Sequence, residues 1–145
     1  TTGMNPRDFA EQYLFKPLGI SAGEWMTDPA GLPYGAGGFN LMPRDMAKLG
    51  YLYLRKGQWD GQQIISPEWV ETSTQPHADV DVNAHFGYGY HWFTVPEMEG
   101  YAALGGGGQI ILVIPKSDLV IVTTARTEES LFELFDKYIL PAVQK

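Results

Sequence analysis

The chain has 145 residues, with 10 Lys plus Arg against 17 Asp plus Glu, a formal net charge of −7 and no cysteine. Its length suits one globular domain, commonly ~100–200 residues, and a composition that is 44% hydrophobic and 19% charged can build a core, which argues against intrinsic disorder. Without cysteine the chain has no disulfide framework and no thiolate metal ligands, and its densest basic cluster, Arg55-Lys56, is too sparse for a general nucleic-acid binder, which neutralises phosphates with Lys/Arg clusters. A membrane span needs ~20 consecutive apolar residues, whereas the run from Ile110 to Ile114 stops at Pro115. From the Thr1-Thr2-Gly3 start, no signal peptide is expected to open the chain.

In chain order, Asn5-Pro6-Arg7-Asp8 predicts a capped helix start, followed by Phe9, Tyr13 and Leu14 at helical spacing. Lys16-Pro17 predicts its end, because a residue before proline avoids the α region. Residues 17–38 read as one long Pro/Gly-rich loop, and connections of that length often carry function. Pro43 opens a second predicted helix with an apolar stripe of Met46, Leu49 and Tyr53, widened by Leu52 and closed by Gly57. The Asp60-Gly61 step predicts a turn, and Ser66-Pro67-Glu68 predicts a capped short helix reaching Thr72.

From Phe86 the hydrophobic period becomes two. Phe86, Tyr88, Tyr90 and Trp92 alternate with Gly87, Gly89 and His91, which predicts one strand. Residues 101–104, Gln109–Ile114 and Leu119–Thr124 predict a three-stranded antiparallel meander, its last two strands joined by a tight turn at residues 115–118. Thr127, Glu128 and Glu129 predict the start of a C-terminal helix carrying Leu131, Phe132, Phe135, Tyr138 and Ile139. The expected fold class is α+β: helices and a long loop over 1–80, then the meander with one helix packed on it over 81–145. The strands are apolar on both faces, so the upstream helices or further chain should cover the face that the C-terminal helix leaves open.

Four consecutive glycines, Gly105 to Gly108, precede Gln109. A phosphate loop would need a helix after them. A strand follows instead, so the run reads as a bulge or kinked turn at a sheet edge, or as bare backbone lining a cleft. Gly19-Ile20-Ser21-Ala22-Gly23 matches G-x-S-x-G, but a nucleophile elbow needs a strand before the serine and a helix after it, and here the order is helix then loop. His77, His85 and His91 lack the spacing of a helical metal pair, and no metal site is expected. Asp79 with Asp81, Glu97 with Glu99 and Glu128 with Glu129 read as solvated positions or a helix start rather than acid/base pairs. The aromatic run from Phe86 to Phe93 reads as core packing or as the wall of an apolar or planar substrate site, with Tyr88 and Trp92 the candidate contacts.

Several strings, in order, resemble one family. The stretch Gly35-Ala36-Gly37-Gly38-Phe39-Asn40-Leu41-Met42-Pro43-Arg44-Asp45-Met46-Ala47-Lys48-Leu49-Gly50 is similar to the "GG, then x-x-D-x-A-k-x-G" segment of the serine beta-lactamase family, which includes class C beta-lactamases, DD-peptidases and esterase-like hydrolases. Phe15-Lys16-Pro17-Leu18-Gly19-Ile20 resembles its "i-f-x-P-L-G-M" helix end. The stretch Gly61-Gln62-Gln63-Ile64-Ile65-Ser66-Pro67-Glu68-Trp69-Val70 resembles its "G-x-x-i-l-s-x-e-w-v" stretch, and Phe86 to Trp92, Gly108-Gln109 and Val113 to Thr124 fit its closing strands.

The resemblance implies a beta-lactamase/transpeptidase-like fold and acyl transfer from a serine in an S-x-x-K motif, with a second base in Y-x-N or S-x-N and no cofactor. Ser21, Ser66, Ser73, Ser117 and Ser130 have no lysine three residues on, and no Tyr or Ser has Asn two residues on. The expectation is therefore a C-terminal segment without nucleophile or base, inactive alone, acting on an ester, amide or beta-lactam only within a larger enzyme. The alternative is a non-catalytic binding or regulatory module of the same fold. Only the third motif, K-T-G or a relaxed variant, can be placed: at Ala103-Leu104-Gly105 by one count, at Gly100-Tyr101-Ala102 by another. The first placement makes Ala103, Leu104 and Gly105 substrate-binding residues on a sheet-edge strand and Gly106 the candidate oxyanion N–H. Without a Lys, Thr or Ser side chain, it argues against a dedicated carboxylate grip. The expected partners are a small-molecule substrate and, through an exposed sheet edge, the N-terminal portion of the same enzyme or a second copy.

Overall fold

Asn5 stands in extended backbone and its Oδ1 accepts from the Arg7 N–H at 2.9 Å, so the first helix begins at Pro6. In this computed structural model, which describes residues 2–81 and 86–143, the helix does not stop at Lys16 as expected. It runs as α-helix Pro6–Ala10, a π turn Glu11–Phe15 and α-helix Lys16–Leu18, and it ends at Gly19 with φ 59°. Proline strains an α-helix by removing one N–H and crowding the carbonyl four residues earlier. The π turn widens the helix just before Pro17, with Lys16 N–H bonding Glu11 C=O, and the chain absorbs the ring there.

The expected loop is a folded ribbon. Gly23 N–H donates to Asn40 C=O at 3.2 Å, Met26 N–H to Gly38 C=O at 2.8 Å and Tyr34 N–H to Met26 C=O at 3.0 Å. At its tip Asp28 Oδ1 accepts from the backbone of Ala30 and Leu32, both at 2.9 Å. Phe39 stacks on Phe15 with centroids 5.1 Å apart and anchors the ribbon to a core of Phe15, Leu18, Ile20 and Leu52.

The helix Pro43–Leu54 joins two cores. Leu52 is fully buried in the first, while Met46, Leu49 and Tyr53 pack on the sheet against Trp92, Ile111 and Val113. Strands β1 (Gln58–Trp59) and β2 (Gln62–Gln63) flank the expected turn, with Asp60 and Gly61 both at positive φ. Ser66 caps the helix Pro67–Thr74, its Oγ accepting from Trp69 N–H at 3.1 Å.

The sheet is antiparallel and packed by a C-terminal helix, as expected, but among the described residues it has six strands rather than three: β3 (Ala78–Asp81), β4 (Phe86–Tyr88), β5 (Phe93–Val95), β6 (Gly100–Gly105), β7 (Gln109–Ile114) and β8 (Leu119–Thr124), adjacent in sequence order. The expected single strand over 86–92 is a hairpin. Gly89 N–H bonds Trp92 C=O at 2.8 Å, His91 has φ 62°, and Tyr88 faces Phe93. The reversal needs glycine at 89, where a Cβ would lie 2.2 Å from Ser73 O. The aromatic alternation continues through the turn and hides it.

This changes the expected position of the 100–105 strand. It is interior, between β5 and β7, so the sheet-edge placement of Ala103, Leu104 and Gly105 is corrected. Its ladder with β5 nevertheless stops at the Phe93–Ala102 pair, while pairing with β7 continues to Gly105–Gln109. The end of β6 thus has one partner strand.

Both sheet faces are covered, as the apolar strands require. Ile110, Leu112 and Ile114 face Phe135 and Leu140 of the C-terminal helix; Ile111 and Val113 face the 43–54 helix. The C-terminal helix starts at Phe132, not at Thr127. Thr127 N–H is committed to Gly107 C=O at 3.1 Å and its Oγ1 accepts from Glu129 N–H at 3.0 Å, which holds this stretch against the glycine turn. Among the described residues no strand pairs with the outer edge of β8, and no helix is long and apolar enough to cross a membrane.

Candidate active-site cleft

The four glycines form the β6–β7 turn. Gly105 pairs with Gln109, and Gly107 and Gly108 take φ 76° and 87°. The turn is tied down from its β8 side: Thr123 Oγ1 donates to Gly108 C=O at 2.8 Å, and Gln109 Nε2 to Ala125 C=O at 2.9 Å. A Cβ on Gly108 would meet Ala125 Cβ at 3.0 Å and Leu131 Cδ1 at 3.1 Å. The run is a braced turn followed by a strand, as expected, but it joins two interior strands rather than lying at a sheet edge.

Beside the unpaired end of β6 lies a cavity of about 360 Å³. Its walls come from four places: Tyr88, His91 and Phe93 on the β4–β5 hairpin, Ala103 to Gly105 with Gln109 and Ile111 on β6–β7, Met46 on the 43–54 helix and Ala36 on the ribbon. Four of the expected substrate-binding residues, Tyr88, Ala103, Leu104 and Gly105, are thus brought together. Among the described residues, none of those lining it is Asp, Glu, Lys or Arg.

Two expected residues are not part of this wall. Trp92 is 6% exposed and packs against Tyr53 at 4.4 Å and Tyr101 at 5.2 Å, so it is a core residue and the expectation of substrate contact is corrected. The hairpin turn is the reason: with the chain reversed between Tyr88 and Trp92, alternation no longer fixes their relative facing. Gly106 lies at the exposed tip of the turn, where a Cβ would meet nothing within 4 Å, and it does not line the cavity. Sequence reading missed His91, Gln109, Met46 and Ala36 as wall residues. The aromatic run and the glycines pointed to the right segments; the ribbon and the helix reach the cleft only through tertiary packing.

A larger cavity of about 740 Å³ lies between the same glycine turn and residues 126–132, with Phe86, Ile110, Leu131 and Phe132 in its wall. Ser130 lines it, and among the described residues no serine lines the smaller cleft. Ser21 is exposed just after the first helix, without a preceding strand, so the elbow geometry is absent there. His77 bonds Thr72 C=O through Nε2 at 2.8 Å and stacks near Tyr90; His85 lies outside the described residues. Among the described residues no group of His, Asp and Glu could hold a metal ion. Behind the cleft, burial pushes the Tyr101 phenol above its usual value, with Tyr53 adding to the effect, so Tyr101 stays neutral and is unsuited to act as a base.

Comparison with known proteins agrees with this architecture. The chain is 28% identical over 131 residues to the 6-aminohexanoate-dimer hydrolase of Paenarthrobacter ureafaciens, covering 83% of this chain and 33% of that protein. It therefore spans about a third of the length of this curated relative. A solved structure from Bacillus anthracis, described as a candidate 6-aminohexanoate-dimer hydrolase, superposes with a TM-score of 0.82 at 23% identity over 98% of this chain and 39% of that one. The octameric penicillin-binding protein homologue from Pyrococcus abyssi superposes with a TM-score of 0.65 at 18% identity, covering 93% of this chain and 37% of that one. These two likenesses establish the penicillin-binding-protein-like fold. Residues 1–143 match the family model Beta-lactamase, and the chain belongs to that family of hydrolases.

Proposed function

We propose that residues 1–145 are the C-terminal segment of a serine hydrolase that cleaves an ester, amide or beta-lactam through an acyl-serine, the amide being the favoured bond. The segment supplies a cleft wall and a backbone oxyanion donor; the nucleophile and base come from chain outside it. The observation that carries this reading is the end of β6, where residues 103–105 lose their β5 partner beside an uncharged cavity. Strand backbone without a neighbour offers N–H and C=O groups to an extended acyl chain. A pre-set N–H next to the reacting carbonyl is worth ~10²–10³ in rate; Gly106, one residue past this strand end, is the candidate donor, although it stands outside the cavity wall of the segment alone. The preference for an amide rests on the relative named for hydrolysing 6-aminohexanoate dimer, while a wall without Lys or Arg among the described residues argues against a dedicated beta-lactam carboxylate grip. The outer edge of β8 is assigned to the N-terminal portion of the same enzyme, or failing that to a second copy.

The test is to mix the purified chain with a chromogenic beta-lactam and with a short p-nitrophenyl ester, follow release of the chromophore and record the intact mass. No turnover and no adduct are expected. Fusing the chain behind a relative's segment that carries S-x-x-K and Y-x-N is expected to restore hydrolysis. A stoichiometric acyl adduct on any serine of the chain alone overturns the proposal.

A further inference from the structure

A separate cavity, of about 370 Å³, opens beside Tyr101 near the start of β6, whereas the cleft lies beside residues 103–105 at the other end of that strand. Its size is within the ~300–1,000 Å³ of small-molecule sites. Tyr53 and Leu54 reach it from the 43–54 helix, Lys56 from the turn after that helix, and Val70 and Glu71 from the 67–74 helix. None of these residues lines the cleft.

The charges on this wall are unspent. The flanking cations Arg55 and Lys116 each have a carboxylate, Asp118 at 2.8 Å and Glu99 respectively. Lys56 has no acidic partner within 4.0 Å among the described residues, and Glu71 no basic one. The Glu71 carboxylate accepts only a long contact from Gln75 Nε2, at 3.4 Å. One positive and one negative group therefore face the same space from different elements without neutralising each other.

Two phenols complete the wall. The rings of Tyr53 and Tyr101 lie 6.4 Å apart at 62°, and Trp92 packs on both, at 4.4 and 5.2 Å, which fixes their planes. Among the described residues neither hydroxyl has a hydrogen-bond partner, yet no buried side-chain oxygen is left without one, so both hydroxyls reach open space. The cavity is the open space that both residues line.

We propose that this cavity is a binding site for a small linear zwitterion, its carboxylate held by Lys56 and a phenol hydroxyl, its ammonium by Glu71, and its methylene body against Leu54 and Val70. The ligand is linear because the two protein charges stand on separate elements and do not meet, so the ligand's own charges must be spaced to reach both. The site does not depend on the reading of the cleft, since the two share no lining residue.

The experiment uses the 145-residue chain and three probes. The zwitterion 5-aminopentanoate carries both charges on a methylene chain, and pentanoate and pentylamine carry one each. Binding is followed by NMR through the backbone amides of Val70, Glu71 and Tyr101, with those of residues 103–106 as the comparison. An exposed charge pair is worth up to about fivefold in affinity. The parent is expected to bind 5-aminopentanoate about fivefold more tightly than either single-charge probe, with residues 103–106 unmoved. Lys56→Glu should abolish the preference, and adding Glu71→Lys should restore it with the ligand reversed. Lys56 and Glu71 are both exposed, so the variants keep the fold, which unchanged amide shifts over Gln109–Ile114 will verify. The proposal is overturned if Val70, Glu71 and Tyr101 give no saturable response, if the response lies at residues 103–106 instead, or if the preference is absent from the parent. A preference that survives in Lys56→Glu, or that the exchanged pair does not restore, overturns it as well.

Discussion

Gly50 sits in the middle of the 43–54 helix, where local propensity and tertiary packing pull in opposite directions. In an isolated helix, Gly→Ala is stabilising by about 1 kcal/mol. Here a Cβ at position 50 would lie 2.6 Å from Val120 Cγ1 and 2.8 Å from Ile111 Cγ2. Carbon atoms pack at ~3.5–4.0 Å, so the helix must rise by roughly 1 Å or the two β-branched side chains must leave their rotamers. Overpacking of this kind costs ~1–3 kcal/mol. Both contacts are methyls of stiff side chains on the central and edge strands, so the upper part of that range applies, and the net expected loss is ~1–2 kcal/mol. With a urea m-value of ~1.5–2 kcal/mol per M, the unfolding midpoint of Gly50→Ala followed by tryptophan fluorescence should fall by roughly 0.5–1 M. Pairing it with Val120→Ala removes the nearer methyl, and the two effects should be less than additive by ~0.5 kcal/mol or more. A midpoint equal to or above that of the parent would refute the reasoning, since helix propensity would then outweigh the contact.

Lys48 bridges Asp45 Oδ1 at 2.7 Å and Gly19 C=O at 2.6 Å, and Asp45 is only 8% exposed; Lys48→Met should therefore lose ~1–3 kcal/mol in urea unfolding by stranding the carboxylate, and an unchanged midpoint would count against the pair. Tyr101 has a folded-state pKa raised above its ordinary value of 10.0. The folded chain therefore holds that proton more tightly than the unfolded chain, so stability is full below pH 10 and declines as pH rises beyond it, by at most ~1.4 kcal/mol per pH unit. Urea midpoints of Tyr101→Phe should fall less than those of the parent between pH 9 and 11, and parallel curves would exclude the effect. The outer edge of β8 has no strand partner among the described residues, so light scattering of the chain alone should show association that grows with concentration; a monomer at all concentrations would remove the edge as a docking surface. Ser66→Ala should cost ~1 kcal/mol through the lost cap on Trp69 N–H, read as a lower thermal midpoint.

How much of the molecule was legible depended on whether the signal was local. Asn5 and Ser66 as caps, the Asp60-Gly61 turn, the 43–54 helix stripe and the strands at Gln109–Ile114 and Leu119–Thr124 all rest on contacts within a few residues, and all are present. The demand of the β7 and β8 side chains for cover on two faces was also in the sequence, and two helices meet it. Pro17 misled because the rule for a proline in an α-helix does not foresee a π turn before it. The 86–92 run misled because aromatic alternation is the same for one strand and for a hairpin whose turn keeps the period.

The site divides along the same line. Sequence by itself determined the chemistry available: no S-x-x-K, no cysteine, a bare glycine turn and an aromatic run beside it. It also supplied the order of strings that resembles the beta-lactamase family, to which the chain belongs. Tertiary structure alone decided which of those residues share a wall. Tyr88 and His91 meet Leu104 and Gly105 across the sheet, Trp92 turns into the core, and Ala36 and Met46 arrive from elements more than forty residues away. The physical reason is that facing within a strand follows from a period of two, whereas proximity between strands depends on where the ladder ends, and the β5–β6 ladder ends at Ala102 through the placement of a turn fixed by Gly89 against the carbonyl of Ser73.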